Sequence, residues 1–245
     1  MKIYGLIGKS LGHSFSKKYF TEKFHFEHIA GCEYRNYELT DLDTAIPLLK
    51  KEQNVCGLNV TIPYKSDILT FVDTLSEECS EINACNCIKI SNGKWEGFNT
   101  DITGFSKSFS AHLHPNHKKA LILGTGGSSR AVAYALRKLN IDFLTVSREK
   151  KTSSSIISYE DISAGVMKSH TIVINTTPAG MFPNVDAYPK IPYQLITPEH
   201  YFFDLVYNPS KTQFLAKAEA MGAAIKNGED MLVIQAEESW KIWNR

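Results

Sequence analysis

The first hundred residues alternate short apolar runs with longer stretches in which apolar positions recur at helical spacing. Residues 2–7 and 56–62 are rich in β-branched and apolar side chains and are bounded by Gly or Pro, so each is predicted to be a strand. Residues 16–28 and 42–52 have the period of amphipathic helices. A hairpin is predicted across residues 85–98, because Asn-Gly stands there between two apolar runs.

Beyond residue 103 strands alternate with helices. An apolar run at residues 120–123 is followed by a helical stretch at 128–139, and a last helix is predicted from 229 to 243. Further apolar runs, separated mostly by helix-length intervals, lie at residues 143–146, 171–174, 201–206 and 223–226. This alternation predicts parallel βαβ units in a doubly wound, Rossmann-like sheet.

We therefore expect two α/β domains with a cleft between them. The first domain is predicted to comprise residues 1–102, joined by the C-terminal helix at 229–245, which is expected to pack back on it. The second is predicted to comprise residues 103–228 and to carry the Rossmann-like sheet.

The composition narrows the range of functions. Of the 245 residues 43% are hydrophobic, and 27 Lys and Arg against 26 Asp and Glu leave a net charge of +1. This balance speaks against nucleic-acid or anionic-membrane partners, which would favour a basic excess. No apolar run approaches the ~18 residues of a membrane-spanning helix, and no signal-peptide pattern is present, so a cytoplasmic location is expected.

The cysteines and histidines give little support for a metal site. Five cysteines are an odd number for a disulfide framework, and Cys79, Cys85 and Cys87 lack the paired spacing of zinc ligands. We interpret them as buried or incidental thiols. The three histidines between residues 112 and 117 are interpreted as part of a polar linker, with a metal-binding tract as the alternative.

A glycine-rich turn between a predicted strand and a predicted helix offers a phosphate site. Gly124 permits a tight turn, Gly126 lets a pyrophosphate approach the backbone, and the following helix presents unpaired N–H groups to anions. The third glycine of the dinucleotide-binding pattern is replaced by Ser129, so a structural turn without a ligand is the alternative. The cofactor-binding residues predicted on this turn are Gly124, Gly126, Gly127, Ser128 and Ser129.

The end of the next strand indicates which dinucleotide is bound. NAD sites commonly place an acidic residue there for the ribose hydroxyls, whereas NADP sites place an Arg for the 2′-phosphate. Here Ser147 and Arg148 are predicted to bind NADP, because Arg148 presents a planar pair of donors and Lys150 and Lys151 add positive potential. Glu149 is a carboxylate at nearly the same place, and a solvated charge cluster is the alternative.

Three polar segments could bind a substrate, but their spacing alone does not decide whether they do. Lys65 follows a predicted strand beside Pro63, and a lone lysine there is most often a surface residue. Asp101 stands at the entry to a helix, where Asp is a favoured capping residue. Ser14 and Ser16 could equally mark the start of a helix.

Taken together and in order, these segments resemble the shikimate dehydrogenase family over nearly the whole chain. The segments that carry the resemblance are residues 13–16 (His-Ser-Phe-Ser), 59–65 (Asn-Val-Thr-Ile-Pro-Tyr-Lys), 84–87 (Ala-Cys-Asn-Cys), 99–101 (Asn-Thr-Asp), 175–181 (Asn-Thr-Thr-Pro-Ala-Gly-Met), 204–209 (Asp-Leu-Val-Tyr-Asn-Pro), 228–232 (Gly-Glu-Asp-Met-Leu) and 235–236 (Gln-Ala). Lys17 stands where the family usually has Pro, and Ser147 and Glu149 replace the usual neighbours of the arginine.

The resemblance implies the reversible reduction of 3-dehydroshikimate to shikimate by NADPH, in the chorismate route to aromatic amino acids. The first domain would bind the substrate and the second NADP. Lys65 would stabilise the alkoxide-like oxygen and transfer the proton, and Asp101 would keep Lys65 charged and orient it. The implied substrate-binding residues are Ser14, Ser16 and Tyr207 at the carboxylate and Thr61, Asn86, Asp101 and Gln235 at the ring hydroxyls. The resemblance adds Thr176, Leu205 and Gly228 to the cofactor-binding residues.

Three other functions stay open at this point. They are an NAD(P)-dependent quinate/shikimate dehydrogenase, a non-catalytic nucleotide-sensing homologue, and a dinucleotide-dependent enzyme with an unrelated substrate such as methylene-folate. The pair Lys65 and Asp101 argues against a mere sensor. The hydroxyl- and amide-rich set of substrate residues disfavours the folate substrate. A monomer and a homodimer are both compatible with the sequence.

Overall fold

The computed structural model describes residues 1–12, 14–149 and 155–245. His13, Lys150 and Lys151, which enter the predictions above, lie outside the described residues. The chain divides into two compact units, unit 1 with residues 1–100 and 236–245 and unit 2 with residues 101–235. Each unit has a six-stranded sheet of its own.

Unit 1 is built on a mixed sheet with the strand order β2-β1-β3-β5-β6-β4. Its strands and helices are β1 (Lys2–Gly8), α1 (Phe15–Phe26), β2 (Cys32–Glu38), α2 (Leu42–Leu49), β3 (Val55–Val60), β4 (Thr74–Leu75), α3 (Glu77–Ile82), β5 (Cys87–Ser91) and β6 (Lys94–Phe98). β1 pairs in parallel with β2 and β3, while β5 runs antiparallel to β3 and β6. The β5–β6 pair is the hairpin that Asn-Gly predicts.

Strand β2 was missed by the analysis of apolar patterns. Its sequence Cys-Glu-Tyr-Arg-Asn-Tyr-Glu has few apolar positions, because β2 lies at the edge of the sheet and pairs only with β1. Tyr34 is nevertheless buried in the middle of this strand. An edge strand with one buried aromatic residue leaves a weak periodic signal.

Unit 2 is built on a sheet with the order β12-β11-β10-β7-β8-β9, in which every neighbouring pair is parallel. Its strands and helices are α4 (Asp101–Ser110), β7 (Lys119–Leu123), α5 (Gly127–Lys138), β8 (Asp142–Ser147), β9 (Ile156–Ser158), α6 (Ala164–Ser169), β10 (Ile172–Asn175), β11 (Tyr201–Asp204), α7 (Gln213–Ala220) and β12 (Ala224–Lys226). This confirms the predicted doubly wound, Rossmann-like sheet. β9, α6 and α7 fill intervals to which the sequence patterns assign no element.

The sheet of unit 2 has an apolar core on each face. Every residue of β10 and β11 is buried, as expected for parallel strands that helices cover on both sides. Neighbouring residues of β7 alternate between the two cores, with Ile122 in one and Leu123 in the other. Because both faces of these strands are buried, their apolar residues form continuous runs and do not alternate with polar ones.

The last helix, α8 (Glu229–Trp243), begins in unit 2 and ends in unit 1. Met231 belongs to a core cluster of unit 2, which places the start of the helix there. Trp243 stacks on Tyr4 with ring centroids 5.0 Å apart and donates its indole N–H to the Ile88 carbonyl at 3.0 Å. The structural boundaries thus lie at 100/101 and 235/236, whereas the sequence prediction placed them at 102/103 and 228/229.

A partly buried ion pair joins α1 to the C-terminal half of α8 within unit 1. The Lys23 ammonium lies 2.9 Å from the Glu237 carboxylate and 2.7 Å from that of Glu27, and the Lys23 side chain is only 7% exposed. The Tyr19 hydroxyl also donates to Glu237. Burial acts to raise the pKa of Glu237, but hydrogen bonds from Tyr19 and Lys23 outweigh it and lower the pKa below the ordinary value of 4.5.

Replacing Glu237 with Gln is expected to destabilise the protein at pH 7 by about 1–2 kcal/mol, between the values for exposed and buried pairs. Because the folded carboxyl has a lowered pKa, its stabilisation is present above pH 4.5 and is lost as the pH falls through that lowered pKa. The melting temperatures of Glu237→Gln and wild type, followed by circular dichroism, should therefore differ at pH 7 and converge in acid. Glu238→Gln is the matched control, because Glu238 makes only 3.7 Å contacts with Lys241 and Arg245. An equal loss in both variants would contradict the assigned role of Glu237.

Candidate functional site

The predicted substrate residues of unit 1 gather at the carboxyl edge of β1 and β3. The Thr61 N–H, just past β3, donates to the Ile7 carbonyl at the end of β1 at 2.9 Å. The Val60 N–H donates to the Asn86 carbonyl at 2.9 Å, since β5 runs antiparallel to β3 and starts at this edge. Parallel strands that end together are a common place for ligand-binding loops.

Ser14 immediately precedes α1, and Ser16 is the second residue of that helix. Ser14 is the N-cap of α1, and its hydroxyl accepts a hydrogen bond from the Lys17 N–H at 3.2 Å. The helix-start interpretation of Ser14 is therefore correct, and the cap leaves the hydroxyl proton able to donate. A proline at residue 17 could not make this bond, so Lys17 contributes a cap that the usual family residue would not.

Lys65 is half-buried in the turn that follows β3. Its carbonyl accepts a hydrogen bond from the Cys85 N–H at 2.7 Å, which fixes the backbone of Lys65 next to the segment of Asn86. The neighbouring Tyr64 is buried and donates its hydroxyl to the Leu39 carbonyl at 2.5 Å. The backbone that carries the predicted catalytic amine is thus held from both sides.

A buried chain of polar side chains lies behind Asn86. The Thr100 N–H donates to the Asn86 side-chain oxygen at 2.7 Å, and the Asn86 amide donates to the Thr100 hydroxyl at 3.1 Å. The Thr100 and Ser239 hydroxyls lie 3.2 Å apart, and the Asn59 amide donates to Ser239 at 2.9 Å. The Tyr34 hydroxyl donates to the Asn59 side-chain oxygen at 2.8 Å. Asn86 is therefore held in a single orientation by groups that water does not reach.

Apart from Asn86, the residues of this hydrogen-bonded network were not predicted from the sequence. Asn59 interrupts an apolar strand, and a polar residue at such a position is the signal that could have identified it. Tyr34 lies on the unpredicted strand β2. Ser239 lies on α8, about 180 residues away from Asn59 in the sequence, and no local pattern links the two residues.

The other predicted substrate residues belong to unit 2. Asp101 is buried and is the first residue of α4, with Thr100 before it. Gln235 is buried on α8, and its amide donates to the Leu232 carbonyl at 3.0 Å. Tyr207 follows β11, and burial raises the pKa of its phenol, so it stays a neutral hydrogen-bonding group.

The glycine-rich turn of unit 2 runs from β7 into α5. Gly124 has φ +114°, and a Cβ there would lie 2.8 Å from the Thr176 hydroxyl oxygen, so the turn requires glycine. The buried Ser129 hydroxyl donates to the Gly124 carbonyl at 2.7 Å. Ser129 therefore stabilises the turn from inside. Gly126 is the N-cap of α5, next to the unpaired N–H groups of Gly127 and Ser128 at the start of the helix.

The backbone at Gly126 fits a phosphate group. A Cβ at Gly126 would meet nothing within 4 Å among the described residues, so the space beside this backbone is open. Open space next to a helix N-terminus at the carboxyl edge of a parallel sheet is the usual setting of a dinucleotide pyrophosphate. The turn therefore has the open shape that the predicted phosphate site requires.

The predicted 2′-phosphate segment follows β8, the neighbour of β7. Ser147 is buried, and its hydroxyl accepts a hydrogen bond from the Glu149 N–H at 3.2 Å. Arg148 and Glu149 are both exposed. Burial raises the pKa of Tyr159, which follows the neighbouring strand β9, and the positive charge of Arg148 acts against that rise.

Three further predicted cofactor residues meet at the same edge of the sheet. The Thr176 hydroxyl donates to the Leu123 carbonyl at 2.7 Å, beside the glycine turn. The Leu205 N–H donates to the Asn175 carbonyl at 3.0 Å. A Cβ at Gly228 would lie 2.3 Å from the Leu205 carbonyl oxygen, so glycine is needed for this approach. Gly124, Thr176, Leu205 and Gly228 therefore lie next to one another along the carboxyl edge of the sheet of unit 2.

The thiols and histidines that the structure describes form no ligand cluster. A hydrogen bond with Cys85, followed by burial, raises the pKa of Cys79, and burial raises that of Cys87. His117 stacks on Tyr201 with ring centroids 5.8 Å apart. Among residues 1–12, 14–149 and 155–245 no group of three His, Cys, Asp or Glu side chains could hold a metal ion. In the same part of the chain no helix is both long and apolar enough to cross a bilayer.

Comparison with known proteins gives a consistent family. A family model described as the shikimate dehydrogenase substrate binding domain matches residues 6–88. The chain is 36% identical, over 260 aligned residues, to the protein named shikimate dehydrogenase (NADP(+)) of Caldicellulosiruptor bescii. That alignment covers 99% of this chain and 89% of the relative.

Solved structures agree in fold and differ in their bound cofactors. A shikimate 5-dehydrogenase from Thermus thermophilus, in complex with NADP(H) and shikimate, is 29% identical with a TM-score of 0.84. A quinate dehydrogenase from Corynebacterium glutamicum, in complex with NAD, is 25% identical with a TM-score of 0.86. Each comparison covers 99% of this chain and 93% of the other.

Gly124→Ala is expected to lower the stability of the protein by about 1–3 kcal/mol, because alanine is strained at this positive φ and its Cβ meets Thr176. Gly126→Ala is the matched control on the same turn, where φ is −80° and a Cβ has free space. Thermal unfolding of the two variants measures the difference. Equal melting temperatures would show that the turn is not built as described.

Proposed function

The chain belongs to the shikimate dehydrogenase family, and from this premise we propose that it is an NADP-dependent shikimate dehydrogenase. The reaction is the reversible reduction of 3-dehydroshikimate to shikimate by NADPH, a step towards chorismate and the aromatic amino acids. The observation that carries the proposal is the 36% identity over 99% of the chain to a relative of that name. Two features of the structure support it, the polar edge of unit 1 and the glycine turn of unit 2.

We also propose how the work is divided. Unit 1 is the substrate-binding unit, as the family match to residues 6–88 suggests, and unit 2 holds NADP. The protein works as a monomer or homodimer in the cytoplasm on a small-molecule substrate. It needs neither a nucleic-acid nor a membrane partner, in line with its net charge of +1.

When bound, the cofactor supplies the hydride. Reduction turns the substrate carbonyl oxygen into an alkoxide, whose charge must be stabilised and then neutralised. The Lys65 ammonium does both, as an electrostatic partner and as the proton donor, and in the oxidative direction the neutral amine accepts the proton. Asp101 orients the substrate by accepting a hydrogen bond from a ring hydroxyl.

The remaining polar residues position the substrate. Ser14, Ser16 and Tyr207 donate hydrogen bonds to its carboxylate, while Thr61, Asn86 and Gln235 bind its ring hydroxyls. Asn86 suits this task because its orientation is already fixed by Thr100. A substrate that lacks a hydroxyl would leave such a group unpaired and bind poorly.

The second candidate is a quinate/shikimate dehydrogenase that uses NAD. Glu149 favours it, because an exposed carboxylate next to Arg148 repels a 2′-phosphate and could accept ribose hydroxyls. The quinate dehydrogenase described above was solved with NAD. A nucleotide sensor is less well supported, because it does not call for the pair Lys65 and Asp101. A folate-linked dehydrogenase is disfavoured by the hydroxyl- and amide-rich set of substrate residues.

The proposal is tested by the oxidation of shikimate and of quinate, followed by absorbance with NADP⁺ and with NAD⁺. We expect shikimate with NADP⁺ to give the highest kcat/KM. Arg148→Ala should raise the KM for NADP⁺ by about tenfold or more and leave that for NAD⁺ within about twofold, because Arg148 pairs with the 2′-phosphate. Equal effects on both cofactors would exclude Arg148 as the phosphate clamp. Faster turnover of quinate with NAD⁺ would favour the second candidate, and ligand binding without turnover would favour a sensor.

Lys65→Ala should lower kcat by about 10²–10⁴-fold and change the KM for shikimate little, because Lys65 acts mainly on the transition state. Lys94→Ala is the matched control, since Lys94 is an exposed lysine of the same unit on the β5–β6 hairpin. Steady-state kinetics at saturating NADP⁺ separate kcat from KM. A variant that keeps its turnover but binds shikimate weakly would remove Lys65 from the chemical step.

A further inference from the structure

Unit 2 contains a fully buried carboxylate that the reaction does not use. Asp204 ends β11 and is 0% exposed. One of its oxygens accepts hydrogen bonds from the Asn175 amide at 2.9 Å and the Val206 N–H at 3.0 Å. The other accepts the Thr212 hydroxyl at 2.6 Å. Three donors converge on a group that water does not reach.

Burial raises the pKa of Asp204 from 3.8 to about 7, and the hydrogen bonds from Thr212, Val206 and Asn175 oppose that rise. A buried carboxylate with a raised pKa costs stability at neutral pH. An apolar residue at the end of β11 would avoid this cost. The position of the carboxylate therefore calls for an explanation other than core packing.

The three donors lie at the end of β10 and at the two ends of the loop between β11 and α7. Asn175 ends β10, Val206 lies in the segment after β11, and Thr212 is the N-cap of α7. Asn175 is itself 0% exposed, and its side-chain oxygen accepts the Thr177 N–H at 3.0 Å and the Thr177 hydroxyl at 2.7 Å. Asp204 thus fixes the loop after β10 through Asn175 and the loop after β11 directly.

These two loops carry the residues assigned above to the cofactor and the substrate. Thr176 lies between Asn175 and Thr177 and is bonded to the end of β7. Leu205 lies between Asp204 and Val206, and Tyr207 follows. The Phe182 N–H also donates to the Asn208 carbonyl at 3.1 Å, so the loops are joined a second time further out.

We propose that Asp204 is a positioning residue, which holds the loops of Thr176, Leu205 and Tyr207 in the geometry that binds NADPH. This inference rests on the proposed function. Asp204 touches neither ligand in this role, because it is enclosed by protein. It acts as a common acceptor for both loops, and such support sets how precisely a ligand-binding loop is held.

Substitutions at Asp204 and Thr212 form a graded series. Asp204→Ala removes the acceptor of three hydrogen bonds and leaves three buried donors unpaired. Asp204→Asn keeps one oxygen for Asn175 and Val206, and its amide can donate to the Thr212 oxygen, so that only the Thr212 proton loses its partner. Thr212→Val removes that bond from the other side, together with the N-cap bond that the Thr212 hydroxyl accepts from the Leu215 N–H at 3.3 Å.

His200→Ala is the matched control. His200 is a buried polar residue that precedes β11, at the opposite end of the strand from Asp204. Its ring bonds the Thr197 N–H at 3.1 Å and lies 3.2 Å from the Met167 carbonyl, away from the two loops. Its loss should lower the melting temperature without moving Thr176 or Leu205.

The experiment measures the Kd of NADPH by fluorescence titration, at a temperature where each variant is folded, together with its melting temperature and kcat and KM for shikimate. Asp204→Ala should raise the Kd about tenfold or more, which corresponds to ~1.4 kcal/mol. Asp204→Asn and Thr212→Val should raise it about threefold, and His200→Ala less than about twofold. If Asp204→Ala does not fold, Asp204→Asn and Thr212→Val carry the test.

Two results would overturn the proposal. One is an unchanged Kd in every folded variant while the melting temperature falls, which would make Asp204 purely structural. The other is an equal loss of affinity in His200→Ala, which would make the effect a general one of destabilisation. A wild-type protein that neither binds NADPH nor oxidises shikimate would refute the proposed function. A wild-type protein that does both, with an NADPH affinity that does not change when Asp204 is replaced, would refute only the role of Asp204.

Discussion

A polar group buried at the edge of a sheet must have hydrogen-bond partners, and this constraint governs both units of the protein. An unpaired buried donor or acceptor costs about 1–3 kcal/mol, a large share of the stability of a typical domain. Unit 1 meets the constraint by linking Asn59 and Asn86 through Ser239 and Thr100. In unit 2 the carboxylate of Asp204 is the common acceptor of its neighbours. The polar side chains that we propose for ligand binding are oriented by these buried groups.

The same constraint explains why the two sites use the carboxyl edges of their sheets. Strand backbones satisfy each other along a ladder, but the ladder stops where the strands end. The loops there need other partners, and the side chains of Ser129, Thr176 and Asn175 supply them. A loop held in this way is rigid enough to recognise a polar ligand and still presents its free N–H groups.

Much of this fold follows from local sequence patterns. The strands of unit 2 are buried on both faces and give continuous apolar runs, so β7, β10 and β11 are visible in the sequence. β2 is not visible, because an edge strand with a single buried Tyr34 has no clear period. The residues proposed to bind the substrate and the cofactor were predicted from the resemblance to a known family. That resemblance did not supply Ser239 or Thr212, whose roles arise from contacts between distant segments.

The residues at which this chain differs from the usual family and dinucleotide-binding patterns fall into two groups with different physical effects. Lys17 and Ser129 each replace a residue without a suitable donor, and each makes a hydrogen bond that stabilises its own turn. Their effects are therefore confined to the local backbone. Glu149 differs, because its side chain is exposed while its backbone N–H donates to the Ser147 hydroxyl. The charge of Glu149 can change the relative affinity for NADP and NAD, because electrostatic effects at an exposed position reach a bound phosphate. Such a charge contributes little to folding, so the fold is not affected. Cofactor preference is in this sense the property of the site that can vary most independently of the rest of the structure.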